Sequence, residues 1–143
     1  MQRVSRASVR AGDETSGEIG AGLVVLLGVA HGDTDADAEL FAGKIARLRI
    51  FANDEGRFDC SLLDTGGAAL VVSQFTLLAD SRRWKGTRPD FSNAAPAAVA
   101  QPVYERFCQA LRDSGVPVET GVFGARMEVE LVNDGPVTII IDT

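Results

Sequence analysis

From Leu23 to Ala30 the chain carries no polar side chain, the pattern of a strand covered on both faces rather than one. A second apolar run follows Gly66 and Gly67, begins at Ala68, and reads as a strand reaching Leu78. Around these two runs the period changes. Between Gln2 and Arg10 apolar and polar positions roughly alternate, through Val4, Ala7 and Val9, which predicts a half-buried strand. Gly12 to Gly17 reads as a loop by composition. Ala38, Phe41, Ile45 and Leu48 recur three or four apart, predicting a helix capped at Asp33 or Thr34 and ending near Arg47. Acids crowd its first turns and Lys44, Arg47 and Arg49 its end, as the helix dipole favours. Pro96 opens a second helix that runs to Asp113, with Val99, Val103, Phe107 and Leu111 as its buried stripe. Pro102 is expected to kink or restart this helix, and Ser114-Gly115 to end it. Short strands are expected at Leu48 to Phe51 and Arg57 to Leu62, around a turn at Asn53 to Gly56, with Phe58 and Cys60 on one side. Three more are expected at Val116 to Phe123, Arg126 to Val132 and Val137 to Asp142. The order predicts one domain, residues 1–143, with a mixed sheet layered against two helices.

The pattern breaks in two places. Asn133-Asp134-Gly135-Pro136 separates the last two predicted strands, and on its own it reads as a hairpin turn built from the usual turn residues. Ser73-Gln74-Phe75-Thr76-Leu77 puts three polar side chains where a buried strand should continue. The segment from Ala79 to Ala95 is long for a loop in a compact domain, which points to function or mobility.

Composition narrows the chemistry. A chain of 143 residues with 45% hydrophobic and 24% charged positions suits a single globular domain with a real core. No apolar run approaches the roughly 20 residues of a membrane span, and the polar start shows no signal peptide, so a cytoplasmic protein is expected. The net charge of −6 argues against broad, sequence-independent nucleic-acid binding. Arg82, Arg83, Lys85 and Arg88 nevertheless put four of 14 basic residues within seven positions, beside Trp84. That loop is either a solvated surface or a phosphate contact. Cys60 and Cys108 have no metal or redox spacing and read as reduced structural residues. His31 is the only histidine, so a zinc site of several histidines cannot be built, and a Ser-His-Asp triad would have to use it. No cofactor or metal is expected.

The two breaks together, Ser73-Gln74-Phe75-Thr76-Leu77 and Asn133-Asp134-Gly135-Pro136-Val137-Thr138, resemble the D-aminoacyl-tRNA deacylase family. The resemblance continues through Gln2 to Val9, Leu48-Arg49-Ile50-Phe51, Arg88-Pro89 with Phe91, and Gly121-Val122-Phe123-Gly124-Ala125 with Met127. It implies an α/β single domain of three layers, two β-sheets and a layer of two helices. It also implies a cytoplasmic homodimer whose sites lie at the subunit interface. The implied activity is hydrolysis of the ester joining a D-amino acid to the tRNA 3′ end, and of glycyl-tRNA mischarged on tRNA(Ala). By the same resemblance Ser73, Gln74, Phe75 and Thr76 line the catalytic pocket. Gly135 and Pro136 form a cis peptide, supplied by the partner subunit, that rejects L-amino acids. Phe123, Ala125, Met127 and Asn133 contact the substrate or its terminal adenosine, and Arg3 supports the Gly-Pro loop. The loop Ser81 to Gly86 is longer than the family's usual form.

The residues themselves leave three readings open. Thr76 has no base beside it in sequence, which favours a site that positions an activated ester and a water, with main-chain amides near Phe75 and Thr76 for the oxyanion. A hydrolase using Thr76 or Ser73 as nucleophile, and a tRNA-end binder without turnover, are the alternatives.

Overall fold

The computed structural model describes residues 1–142. Strand β1, Gln2–Ala11, turns at Gly12, whose φ of 63° suits glycine, directly into β2, Glu14–Ile19. The loop expected up to Gly17 is therefore only a tight turn. In β2 only Gly17 and Ile19 are buried, so composition hides an edge strand whose other face is polar. Antiparallel pairing runs from Ala11 opposite Glu14 to Ala7 opposite Ile19. After Gly20-Ala21 the chain continues as β3, Gly22–Leu27, which stays antiparallel to β1 with Val4 opposite Gly22. On its other side β3 pairs in parallel with a later strand, Ala68–Ser73.

Between them lie the first helix and a small ribbon. Helix α1, Asp35–Arg47, is capped by Thr34 in a reciprocal box with Asp37, and Asp37 has its carboxyl held below the ordinary range mainly by the Thr34 amide. Strands β4, Phe51–Ala52, and β5, Phe58–Cys60, pair antiparallel. The strand expected to reach Leu62 stops at Cys60, because Ser61 caps a single helical turn, α2, Leu62–Thr65. Ser61 and Asp64 cap the turn reciprocally, and Gly66 ends it in the left-handed conformation. Strand β6 is Ala68–Ser73, and a 3-10 turn over Phe75–Leu78 replaces the rest of the predicted strand.

Helix α3, Ala97–Asp113, runs through Pro102 as one element. Its buried side is Ala100, Tyr104, Phe107, Cys108 and Leu111, whereas Val99 is 51% exposed. A spacing of four drifts about 40° per step on a helix of 3.6 residues per turn, which carries Val99 off the face that holds Leu111. Strand β7, Val118–Thr120, pairs in parallel with β6. The last two predicted strands are one strand, β8, Met127–Thr138, antiparallel to the free edge of β1. The sheet order is therefore β8–β1–β2/β3–β6–β7.

Alternation along β3 and β6 builds the core on two sides. Leu23, Val25, Ala69 and Val71 pack against Ala42, Ile45, Ala46, Tyr104, Phe107 and Leu111 of α1 and α3. Val24, Leu70 and Val72 meet Val4, Ala7, Val9 and Ile19 from β1 and β2. Both apolar runs are thus covered on both faces, and the three expected layers are present. The two β layers belong to one hydrogen-bonded sheet, and at Gly22 an added Cβ would overlap the Ala68 carbonyl. Among the described residues no helix is long and apolar enough to cross a membrane.

Along β8, Asn133 stands opposite Val4 and Thr138 opposite Gln2. The intervening residues have no counterparts on β1, so the Asn-Asp-Gly-Pro stretch is a bulge in a continuous strand rather than a hairpin turn. A bulge is where a strand tolerates proline, which has no amide to give the ladder. The Gly135-Pro136 peptide is cis.

Candidate active site

The pocket opens where β6 gives way to the 3-10 turn. Gln74 donates its amide to the Leu27 carbonyl, the last rung of the β3–β6 pairing, and the backbone then curls over Gly28. A Cβ on Gly28 would collide with the Leu78 side chain and come within 3.2 Å of the Gln74 carbonyl, so glycine is what lets the turn sit down on β3. Ser73, Gln74, Phe75 and Thr76 line one wall, and Ala95, Ala97 and Ala100 line the floor beside α3. Phe123, Gly124, Ala125 and Met127 form the opposite wall, in the segment leading from β7 into β8.

Within the pocket Gln74 donates from Nε2 to the Thr76 hydroxyl at 3.1 Å, so Thr76 is oriented by an amide rather than by a base. Among the described residues no carboxylate, histidine, lysine, cysteine or tyrosine lines the cavity. His31 is exposed and outside it, tied by its own amide to the Asn93 carbonyl. Among the described residues the amides of Phe75 and Thr76, at the open start of the 3-10 turn, make no hydrogen bond to the rest of the chain. Two free amides, a placed hydroxyl and no proton acceptor suit a site that holds an acyl carbonyl and polarises it.

Aromatic contacts fix the two walls. Phe75, 58% exposed, meets Phe91 edge-on at 5.3 Å between centroids. Phe123 leans on Tyr104 at 5.6 Å. The Tyr104 hydroxyl donates to the Val71 carbonyl at 2.8 Å, and burial holds it well above the ordinary phenol range, which leaves it a support for Phe123 and not an acid or base. The sequence reading passed over this residue, although a lone tyrosine at a core position of α3 was the available signal.

The other signature lies elsewhere. In the bulge, the Asn133 side chain accepts the Val137 amide at 3.2 Å. Arg3 donates from Nε to the Asp134 carbonyl at 3.1 Å and from Nη1 to the Ile50 carbonyl at 2.8 Å. Gly135 has φ of 130°, and a Cβ there would stand 2.7 Å from a Val137 methyl and 3.0 Å from the Val137 nitrogen. Asn133 thus sits with Gly135 and Pro136, not with Phe123, Ala125 and Met127. Met127 pairs with Ala11 and Asn133 with Val4, so within one chain the two are roughly 20 Å apart at the rise of an antiparallel strand.

The basic loop divides in two. Arg82 grips the Asp80 carboxylate through Nε and Nη2 at 3.0 and 3.1 Å, and Arg83 reaches the same carboxylate at 3.5 Å. The hydrogen bond from Arg82 is the main reason the Asp80 carboxyl is held below its ordinary range. Lys85 and Arg88 form no ion pair among the described residues.

Residues 1–142 match the family described as D-Tyr-tRNA(Tyr) deacylase. A D-aminoacyl-tRNA deacylase of Roseiflexus sp. (strain RS-1) is 61% identical over the whole of this chain and 91% of its own length. One from Chloroflexus aurantiacus (strain ATCC 29364 / DSM 637 / Y-400-fl) is 59% identical over the whole of this chain and 88% of its own. Among solved structures, the c-Myc DNA Unwinding Element Binding Protein superposes with a TM-score of 0.91 at 41% identity, covering 99% of this chain and 95% of that one.

Proposed function

The chain belongs to the D-Tyr-tRNA(Tyr) deacylase family, and from that premise we propose how it works: it hydrolyses the ester of D-aminoacyl-tRNA at a site completed by a second copy of the chain. The observation that carries the two-subunit reading is the separation of the two signatures along β8. One protomer supplies the pocket walled by Ser73 to Thr76 and by Phe123 to Met127, and its partner supplies the Gly135-Pro136 bulge. The terminal adenosine stacks on Phe123, and the aminoacyl carbonyl lies at the Phe75 and Thr76 amides. An aminoacyl ester is activated, so placement, oxyanion donors and a water suffice. Thr76, held by Gln74, positions rather than attacks.

Chirality is read by exclusion. Main chain at Gly135-Pro136 faces the substrate's α-carbon, and an L side chain strikes it while a D side chain points away. Backbone suits this task because it is indifferent to which D-amino acid arrives. Arg3 on the Asp134 carbonyl and Asn133 on the Val137 amide hold the bulge stiff enough to exclude. Glycine offers no side chain to reject, so glycyl-tRNA passes the filter as well. The test is single-turnover release of amino acid from matched D-, L- and glycyl-tRNA. The expected result is cleavage of the D and glycyl esters with the L ester left intact. Equal rates on D and L esters would end the filter, and binding without release would leave only a tRNA-end binder.

Lys85 and Arg88 take tRNA phosphates, with Arg82 and Arg83 shaping the loop through Asp80 and adding less. Replacing Lys85 and Arg88 by alanine is expected to lower the slope of log affinity against log salt by about 1.4 to 1.8. Replacing Arg82 and Arg83 should lower it less, since both already pair with Asp80. An unchanged slope in both variants would return the loop to plain solvated surface.

A further inference from the structure

Phe58 is a large apolar side chain with 56% of its surface exposed, on the two-stranded ribbon beside the body of the sheet. Core packing does not account for it there. Its ring lies over the Arg3 guanidinium, 5.3 Å from centroid to Cζ, within the range of a cation–π contact. Arg3 reaches the ring from β1 and is nearly covered, with 13% of its side chain exposed.

The geometry around Arg3 uses the whole of a planar guanidinium. Its edges donate to the Asp134 and Ile50 carbonyls, and one face receives the Phe58 ring. A Cβ on Gly135 would stand 3.2 Å from Nη2, so the same group also abuts the glycine of the bulge. A rival partner is close: the Asp134 carboxylate lies 3.7 Å from Nε and is 59% exposed. An unconstrained guanidinium swings outward to that carboxylate and to water, and releases the carbonyl. The ring blocks this motion from one side while the Ile50 carbonyl anchors the far edge.

We propose that Phe58 is a positioning residue for the Gly135-Pro136 bulge: by lying on Arg3 it fixes the donor that holds the Asp134 carbonyl, and it thereby sets the preference for D over L esters. This rests on reading the bulge as the chirality filter.

The test measures kcat/KM on matched D- and L-aminoacyl-tRNA for the wild type, Phe58→Leu, Phe58→Tyr, Arg3→Gln and the Phe58→Leu/Arg3→Gln double variant, each as the full chain. Phe58→Leu should lower the D-over-L ratio about threefold to tenfold with little change in melting temperature, as expected for an exposed side chain. Phe58→Tyr keeps the ring and should restore the ratio. In the Arg3→Gln background the leucine should add nothing further, because its effect passes through Arg3. A full D preference in Phe58→Leu, or the same fall with Arg3 already removed, would overturn the role of Phe58 alone. A wild type that cleaves both esters alike would overturn the filter itself, and that result is read before any variant is made.

Discussion

Gly135→Ala should lose about a hundredfold in kcat/KM on D-aminoacyl-tRNA while keeping its fold. The backbone at Gly135 has φ of 130°, where an L side chain is strained, and its Cβ would press on the Val137 methyl at 2.7 Å and the Val137 nitrogen at 3.0 Å. Strain of this kind costs on the order of 1–3 kcal/mol, and relief comes by moving the bulge. The bulge is exposed and outside the three core clusters, so global stability changes little, whereas the surface proposed to meet the substrate is displaced. With 1.36 kcal/mol for each factor of ten in rate, a displacement costing near the top of that range gives about two decades. Hydrolysis of D and L esters and a thermal melt check this together. A variant that melts normally and cleaves D esters at the wild-type rate would show that Gly135 need not approach the substrate.

Gly22→Ala acts on the fold instead. Here β3 is paired on one side with Val4 of β1 and on the other with Ala68 of β6, and the added methyl would overlap the Ala68 carbonyl. The contact is backbone against backbone, in a strand whose neighbours Leu23 and Val24 are fully buried, so no side chain can rotate away to relieve it. Overpacking of this kind costs about 3 kcal/mol or more, a large share of the 5–15 kcal/mol that holds a domain together. The expected outcome of chemical denaturation is an early transition or insoluble protein. Wild-type stability in this variant would mean that β3 and β6 do not approach this closely at Gly22.

Much of this arrangement was legible in the residues. The apolar runs at Leu23 and Ala68 identified the strands buried on both faces, because two-sided burial leaves no polar position to vary. The cap expected at Asp33 or Thr34 is Thr34, completed by Asp37. What escaped notice was decided by partners distant in sequence. Glu14 to Ile19 is a strand because β1 lies beside it, and its polar outer face concealed that. Asn133 to Thr138 has the composition of a turn, but β1 runs straight past it and forces a bulge. The site followed the same division. Ser73 to Thr76 and Phe123 to Met127 converge through a long parallel crossover and share one pocket. The resemblance groups Asn133 with Met127 as substrate contacts, and the rise of an extended strand carries the two to opposite ends of the β1–β8 pairing. The capture of Arg82 and Arg83 by Asp80 depends on a local turn that composition does not disclose.

Complementation reads out whether each site is shared between two chains. Gly135→Ala spoils the bulge and leaves the pocket; Ala125→Trp fills the pocket and leaves the bulge. Each is expected to be nearly inactive alone. When the two are co-expressed as a random mixture, half of the dimers contain one of each, and in every such dimer one site receives both intact parts. Recovery of about a quarter of wild-type hydrolysis of D-aminoacyl-tRNA is expected, as two-fold symmetric pairing requires. A mixture no more active than its separate components would contradict it.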